Sequence, residues 1–348
     1  MVQKDNRSQR INQAQIISSL ENIYISPLES CNLACKYCYT KKTNHTLSNE
    51  QILDFITRYN NYLKENPADA FFSSIQRATH IGRLEKNRIK EFSNGIKLKS
   101  IILCGGEVFT LPNFPKLVNE LIQKDIFVTI ITNGTIDRLD EIVKPENCQI
   151  LVSLDGPKVI HDQNRGEGNF EKSIQYIKHA QILGFPVGIM FLVTKDSYPF
   201  KDSFLPSLYK LYNFKNLELT YLTDRKMSLT PEQCLDIKFH YPTFPAKNFG
   251  CFQLSLQSNR DITGCCESNK PLGKITDNPK IYISKFIKSL KPCFSCPLSN
   301  LRSTIDNRQS TCSGCSDSSY LCGYPQELHQ NSCQDIIHLF NKNKIISK

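Results

Sequence analysis

The chain has 348 residues, 40% hydrophobic and 22% charged, with 43 Lys and Arg against 33 Asp and Glu for a formal charge of +10. That composition builds a sizeable core and excludes disordered and collagen-like classes, while the length suits two domains or one large α/β barrel. No apolar run approaches the roughly 18–20 residues of a membrane span, and Met1–Arg10 is polar with no secretory apolar segment, so no membrane role and a cytoplasmic location are expected.

In chain order, a polar extension over 1–20 precedes a short apolar run, Ile23–Leu28, and a loop bearing Cys31, Cys35 and Cys38. Ser48-Asn49-Glu50-Gln51 has the form of a capping box and opens a helix with Ile52, Phe55, Ile56, Tyr59 and Leu63 on one face. An insertion at about 68–99 carries Arg77, Arg83, Lys86, Arg88, Lys90, Lys97 and Lys99; a lid, a partner surface and a solvated insertion all suit it. Apolar runs resume at Ser100–Cys104, Ile126–Thr132, Gln149–Leu154, Val187–Val193 and Asn216–Leu222, with helical periodicity over Phe114–Lys124, Asn169–Leu183 and Phe204–Tyr212. Short β-branched runs separated by helices predict a buried parallel sheet wound by right-handed crossovers. Six strands are two fewer than a closed barrel has, so the fold class is α/β, a partial (β/α)6 TIM-type barrel over 21–234. From about Lys226, Pro231, Pro242 and Pro245 punctuate the chain and helical periodicity fades. A boundary near Leu235 leaves a small Cys-rich, loop-rich domain over 235–348.

Cysteine is the informative residue. There are 15 in a chain without an export signal, three of them at 31, 35 and 38 and nine between Cys251 and Cys333. In a reducing compartment such a pattern points to metal binding or catalysis. Positive charge admits an acidic partner or a solvated Lys-rich surface, and no basic run with interleaved aromatics singles out nucleic acid. Three thiolates on one loop are too few for a closed zinc site or a fully ligated [4Fe–4S] cube, which leaves one iron open to a ligand. A zinc loop with a remote fourth ligand is the alternative.

The CxxxCxφC spacing, with Tyr37 as the aromatic φ, resembles the radical S-adenosylmethionine (radical SAM) superfamily. The resemblance implies a [4Fe–4S] cluster whose free iron binds SAM. It also implies reductive cleavage of SAM to a 5′-deoxyadenosyl radical that abstracts hydrogen from a substrate. Cys104-Gly105-Gly106-Glu107 is similar to the family's GGE element, so the glycines would admit the ligand and Glu107 would pair with the SAM ammonium. Thr132-Asn133-Gly134 is similar to its TNG turn, which places Asn133 among the cofactor contacts. Val152-Ser153-Leu154-Asp155-Gly156-Pro157, His161-Asp162 and Arg165-Gly166-Glu167-Gly168-Asn169-Phe170 resemble a stretch of enzymes related to anaerobic sulfatase-maturating enzymes. By that resemblance Ser153 contacts the ribose or methionyl group, and the planar fork of Arg165 takes the SAM carboxylate. His161 is a base or a loop-ordering residue, and Asp155 can be a turn residue alone.

Cys312, Cys315, Cys322 and Cys333 offer four thiolates, enough for a cube or a zinc ion. The tail resembles the SPASM domain, which carries auxiliary [4Fe–4S] clusters. It departs from that pattern where Gln326 stands for an expected cysteine and one gap is a residue longer. Cys251, Cys266, Cys293 and Cys296 can make a second auxiliary site, with Cys265 the alternative to Cys266. Glu267 follows in the place of a substrate-deprotonating acid of sulfatase-maturating enzymes. The implied activity is hydrogen abstraction from a peptide or protein side chain, leading to oxidation or cross-linking, with a flavodoxin- or ferredoxin-type electron donor. A SPASM-type oxidase acting on a small molecule is the alternative enzyme. A zinc-stabilised nucleic-acid-binding module is the alternative from another class.

Overall fold

The computed structural model describes residues 19–38, 40–66, 97–212, 216–221 and most of 254–290, with a few positions between 227 and 236. Cys251, Cys265, Glu267, Cys293, Cys296, Cys312, Cys315, Cys322 and Cys333 lie outside the described residues, as do residues 68–96 of the insertion and 1–18 of the extension.

All six anticipated strands form: β1 (Asn22–Ile25), β2 (Ser100–Leu103), β3 (Phe127–Thr132), β4 (Cys148–Leu154), β5 (Val187–Val193) and β6 (Asn216–Tyr221). Neighbours pair in parallel and in sequence order, from Asn22 opposite Ser100 to Val193 opposite Tyr221. Helices α1 (Asn49–Glu65), α2 (Phe114–Gln123), α3 (Lys158–Arg165), α4 (Asn169–Ile182) and α5 (Lys201–Tyr212) lie in the connections. Side chains alternate along the strands. Ile23, Ile25, Ile101, Leu103, Val128, Ile130, Ile150 and Val152 join one core with Ile52, Phe55, Leu117, Leu121 and Ile177 of the helices. This is a parallel sheet covered by helices, the partial-barrel arrangement.

Ser48 caps α1 as the sequence implied: its Oγ accepts from Gln51 N–H at 3.2 Å and Gln51 Oε1 accepts from Ser48 N–H at 3.0 Å. The anticipated fading of helical order after Lys226 is corrected by α6 (Pro279–Leu290), which buries Tyr282, Ile283 and Phe286. Its start carries local signals, Pro279 at the first position and Asn278 Oδ1 accepting from Lys280 N–H at 3.0 Å. Three short strands also extend the sheet. β7 (Ser255–Leu256) pairs in parallel with β1, and β8 (Asp261–Thr263) and β9 (Pro271–Lys274) follow antiparallel, giving the order β6-β5-β4-β3-β2-β1-β7-β8-β9. Among the described residues no helix is long and apolar enough to cross a membrane.

Candidate functional site

Parallel strands bring their C-terminal ends to one edge, where barrel folds carry their chemistry. The cysteine loop leaves β1 and crosses directly over the end of β2: Cys104 N–H donates to Ile25 O, Gly106 N–H to Leu28 O and Glu107 N–H to Ser30 O, all within 3.1 Å. This crossing explains the two glycines. A Cβ on Gly106 would stand 1.7 Å from Ser30 O, and one on Gly105, at φ +142°, 2.3 Å from Leu28 O. The closely approaching atoms are those of the loop backbone, a requirement for glycine that the sequence alone did not indicate.

Glu107 is fully buried. Its Oε1 accepts from Thr132 Oγ1 at 2.8 Å and Phe109 N–H at 3.2 Å, and Oε2 from Asn133 N–H at 2.8 Å. Burial raises its pKa, and these three donors oppose the rise. The carboxylate therefore ties the end of β2 to the turn after β3. Gly134, at φ +69°, lets that turn close against Val152.

The turn holds the cysteine loop on one side. Asn133 Nδ2 donates to Asn32 Oδ1 at 3.0 Å and lies 3.8 Å from Cys31 Sγ, while Asn32 Nδ2 donates to Thr135 Oγ1 at 2.8 Å. On the other side Lys36 N–H donates to Asn164 O at 3.1 Å, and Tyr37 Oη donates to Asp155 Oδ2 at 2.5 Å. Asp155 Oδ1 accepts from Arg165 Nε at 2.9 Å, with side-chain exposures of 0% and 10% for the pair. The guanidinium also lies 5.6 Å from the Tyr37 ring centroid. Asp155 thus has a specific ion pair and is more than a turn residue. The Arg165 Nη nitrogens make no hydrogen bond among the described residues. Ser153 is half-buried near the end of β4, on the face opposite Val152 and Leu154. His161 is buried, accepts from Asp155 N–H through Nδ1, and is pushed down to about 4 chiefly by burial, which keeps the ring neutral.

Cys31, Cys35 and Cys38 are unbonded thiols. Burial raises the pKa of Cys31 and Cys35, and Cys38 adds to both rises. Arg165 pulls Cys35 the other way, while the Leu33 N–H, 3.4 Å from Cys31 Sγ, and Lys42 do so for Cys31. Among the described residues no three His, Cys, Asp or Glu side chains converge on a single-ion site. A cube needs no such convergence, because each iron corner takes its own thiolate. Three neighbouring thiols and a cationic partner fit a [4Fe–4S] cluster held at three corners, which would keep those thiols deprotonated. Cys266 is half-buried beyond β8, where its carbonyl accepts from Gln257 Nε2 at 3.2 Å. Sequence reasoning missed Asn32, Thr135 and Asn164, which carry no motif signal and act through contacts distant along the chain.

Comparison with known proteins agrees with this geometry. The chain is 29% identical over 207 residues to a serine-type anaerobic sulfatase-maturating enzyme of Bacteroides thetaiotaomicron, a match covering 55% of this chain and 42% of that protein. It is 26% identical over 191 residues to the antilisterial bacteriocin subtilosin biosynthesis protein AlbA of Bacillus subtilis, covering 51% and 35%. The matches thus span less than half of either relative. In fold, the chain resembles anSMEcpe with bound AdoMet and a peptide, at TM-score 0.59 and 18% identity over 94% of this chain and 98% of that one. It also resembles Streptococcus suis SuiB bound to the precursor peptide SuiA, at TM-score 0.55 and 13% identity over 90% and 73%. The Radical SAM superfamily matches residues 25–199, half of the sequence. With that match, the three-cysteine loop and the parallel partial barrel in agreement, the chain belongs to the radical SAM superfamily.

Proposed function

We propose that this chain modifies a side chain of a peptide or protein, as an oxidation or a cross-link, with SAM and a [4Fe–4S] cluster as its cofactors. The observation that carries the reading is the meeting of three free thiols and the Arg165 guanidinium at the carboxyl end of the sheet, both anchored to Asp155 through Tyr37 and Arg165 itself. Peptide chemistry is supported by the two curated relatives, one named for maturing a sulfatase and the other for making a bacteriocin.

In this reading Cys31, Cys35 and Cys38 hold the cluster, and the Nη nitrogens of Arg165 take the SAM carboxylate while Asp155 fixes its Nε. Ser153 contacts the ribose or methionyl part. Glu107 is fully buried and held by Thr132, Phe109 and Asn133, so it serves the SAM ammonium by fixing the ends of β2 and β3 around it and by its charge. Gly105 and Gly106 let the cysteine loop lie close enough to β2 for these groups to meet. When bound, the cluster and SAM supply one-electron cleavage of a sulfonium bond and hydrogen abstraction. The protein contributes position and the exclusion of water and stray hydrogen donors. We assign the barrel to 21–234 and an auxiliary cluster domain to 235–348. Cys312, Cys315, Cys322 and Cys333 make one site, and Cys251, Cys266, Cys293 and Cys296 make another. Glu267 is the candidate base there, and a flavodoxin- or ferredoxin-type protein is the electron donor.

Anaerobic reconstitution tests this directly. The full chain is expected to bind about 12 irons, three cubes of four. Combined Cys31→Ala, Cys35→Ala and Cys38→Ala substitution should remove about four irons and all reductive SAM cleavage. Cleavage retained in that variant refutes the assignment.

A further inference from the structure

Asn133 is held at every polar atom. Its N–H donates to Glu107 Oε2 and its carbonyl accepts from Ser173 Oγ, each at 2.8 Å. Its side-chain Oδ1 accepts from Thr135 N–H at 2.9 Å and Thr135 Oγ1 at 2.6 Å. A backbone N–H can only donate, so the Thr135 contact fixes which end of the amide is oxygen. The NH2 end therefore faces the cysteine loop, 3.0 Å from Asn32 Oδ1 and 3.8 Å from Cys31 Sγ. Leu33 N–H approaches the same sulfur at 3.4 Å. In the thiol state the sulfur's own proton is directed at Asn32 Oδ1, 3.9 Å away. As a thiolate ligand Cys31 can only accept, and Asn133 Nδ2 and Leu33 N are the donors that meet its charge.

We propose that Asn133 is a positioning residue that sets the reduction potential of the SAM-binding cluster by donating an N–H···S hydrogen bond to the Cys31 thiolate. The inference rests on the reading of Cys31 as a cluster ligand. Adding one electron from a flavodoxin-type donor places negative charge on the cube and its sulfurs. A fixed N–H dipole aimed at one of them stabilises the reduced form and raises the potential. The dipole is effective because it cannot turn away: Asn133 is 7% exposed, Thr135 holds its side-chain Oδ1, and Glu107 and Ser173 hold its backbone. With both oxygen contacts and both amide hydrogens engaged by the protein, the side chain acts on the cofactor through Cys31 rather than by touching SAM.

The test is a mediated redox titration of the anaerobically reconstituted full chain without SAM, followed by EPR. The relevant signal is the one absent from the triple cysteine variant. Asn133→Ala removes the donor, and Asn133→Asp keeps an acceptor for Thr135 while placing oxygen toward the sulfur. Each is expected to shift the reduction equilibrium about tenfold against the reduced form, ~59 mV for one electron. An unchanged potential in Asn133→Asp with iron content intact overturns the proposal. Should the variants lose the cluster, the wild type decides. Protein labelled with 15N only in asparagine side-chain amides should show a 15N coupling to the reduced cluster in pulsed EPR, and its absence overturns the proposal as well. Failure of the underlying reading looks different: no wild-type signal would depend on Cys31, Cys35 and Cys38.

Discussion

Asp155 shows how much one buried carboxylate can organise. Its two oxygens receive Tyr37 Oη and Arg165 Nε, and its backbone N–H donates to His161 Nδ1. The loop of β1, the end of β4 and the middle and C-terminal end of the short α3 are thereby joined at one residue. His161 is the partner with a pH signature. Burial, helped by Arg165, lowers its pKa from the ordinary 6.5 to about 4, against the pull of Asp155 and Asp162. Between those values the unfolded chain binds a proton that the folded chain refuses, so stability falls as pH drops through this window. From pH 7 to pH 5 the loss from this group is about 2 kcal/mol. Urea unfolding at the two pH values should show that extra loss in the wild type and not in His161→Leu. Equal losses would mean that His161 is not held neutral.

At the scale of elements, the site is two crossings of loop over strand. The cysteine loop lies on the end of β2 with three backbone hydrogen bonds, and the turn after β3 reaches across to Asn32. Gly106 is the tightest point, since a methyl group there meets the backbone oxygen and carbon of Ser30 at 1.7 and 2.4 Å. Backbone cannot swing aside as a flexible side chain can. Gly106→Ala is therefore expected to lift the loop, giving a folded protein that takes up about four irons fewer on reconstitution. An iron count and SAM affinity equal to wild type would show that the loop tolerates the displacement. Capping shows a contrasting kind of control: the Ser48 box that starts α1 is complete within four residues, so its formation needs no partner from elsewhere in the chain.

The described residues are organised around a nine-stranded sheet that continues past the six-strand barrel. β7 covers β1, with Tyr24 N–H donating to Leu254 O and Ser26 N–H to Leu256 O, both at 2.8 Å. Arg58 of α1 donates to Ile275 O at 2.5 Å and Asp277 O at 3.3 Å, and Tyr282 of α6 sits 6.4 Å from Phe55 between ring centroids. The segment 254–290 is thus part of the wall beside the first strand. Cutting the chain after Gln253 would leave the ladder groups of β1 bare on one side, an edge that invites pairing with other chains. Such a truncation should give aggregated or self-associated product by light scattering; a monodisperse, folded fragment would contradict this.

Much of this was legible in the residues. Parallel strands buried on both faces read as continuous β-branched runs, so the expected strand ends fall within three residues of the observed ones and Val187–Val193 matches at both ends. The cysteine spacing, the capping box and the glycines are local, and local chemistry is written locally. The two-residue β7 carries too little pattern to announce itself, and α3 is too short for periodicity. The sequence alone settled the barrel class and the three thiols. Tertiary structure decided what holds them: Tyr37 meets Asp155 across 118 residues, and Asn133 meets Asn32 across 101. Such pairings depend on which strand ends become neighbours. That is fixed only when the sheet closes its register, because the hydrogen bonds between strands, not the order of residues along them, bring those side chains together.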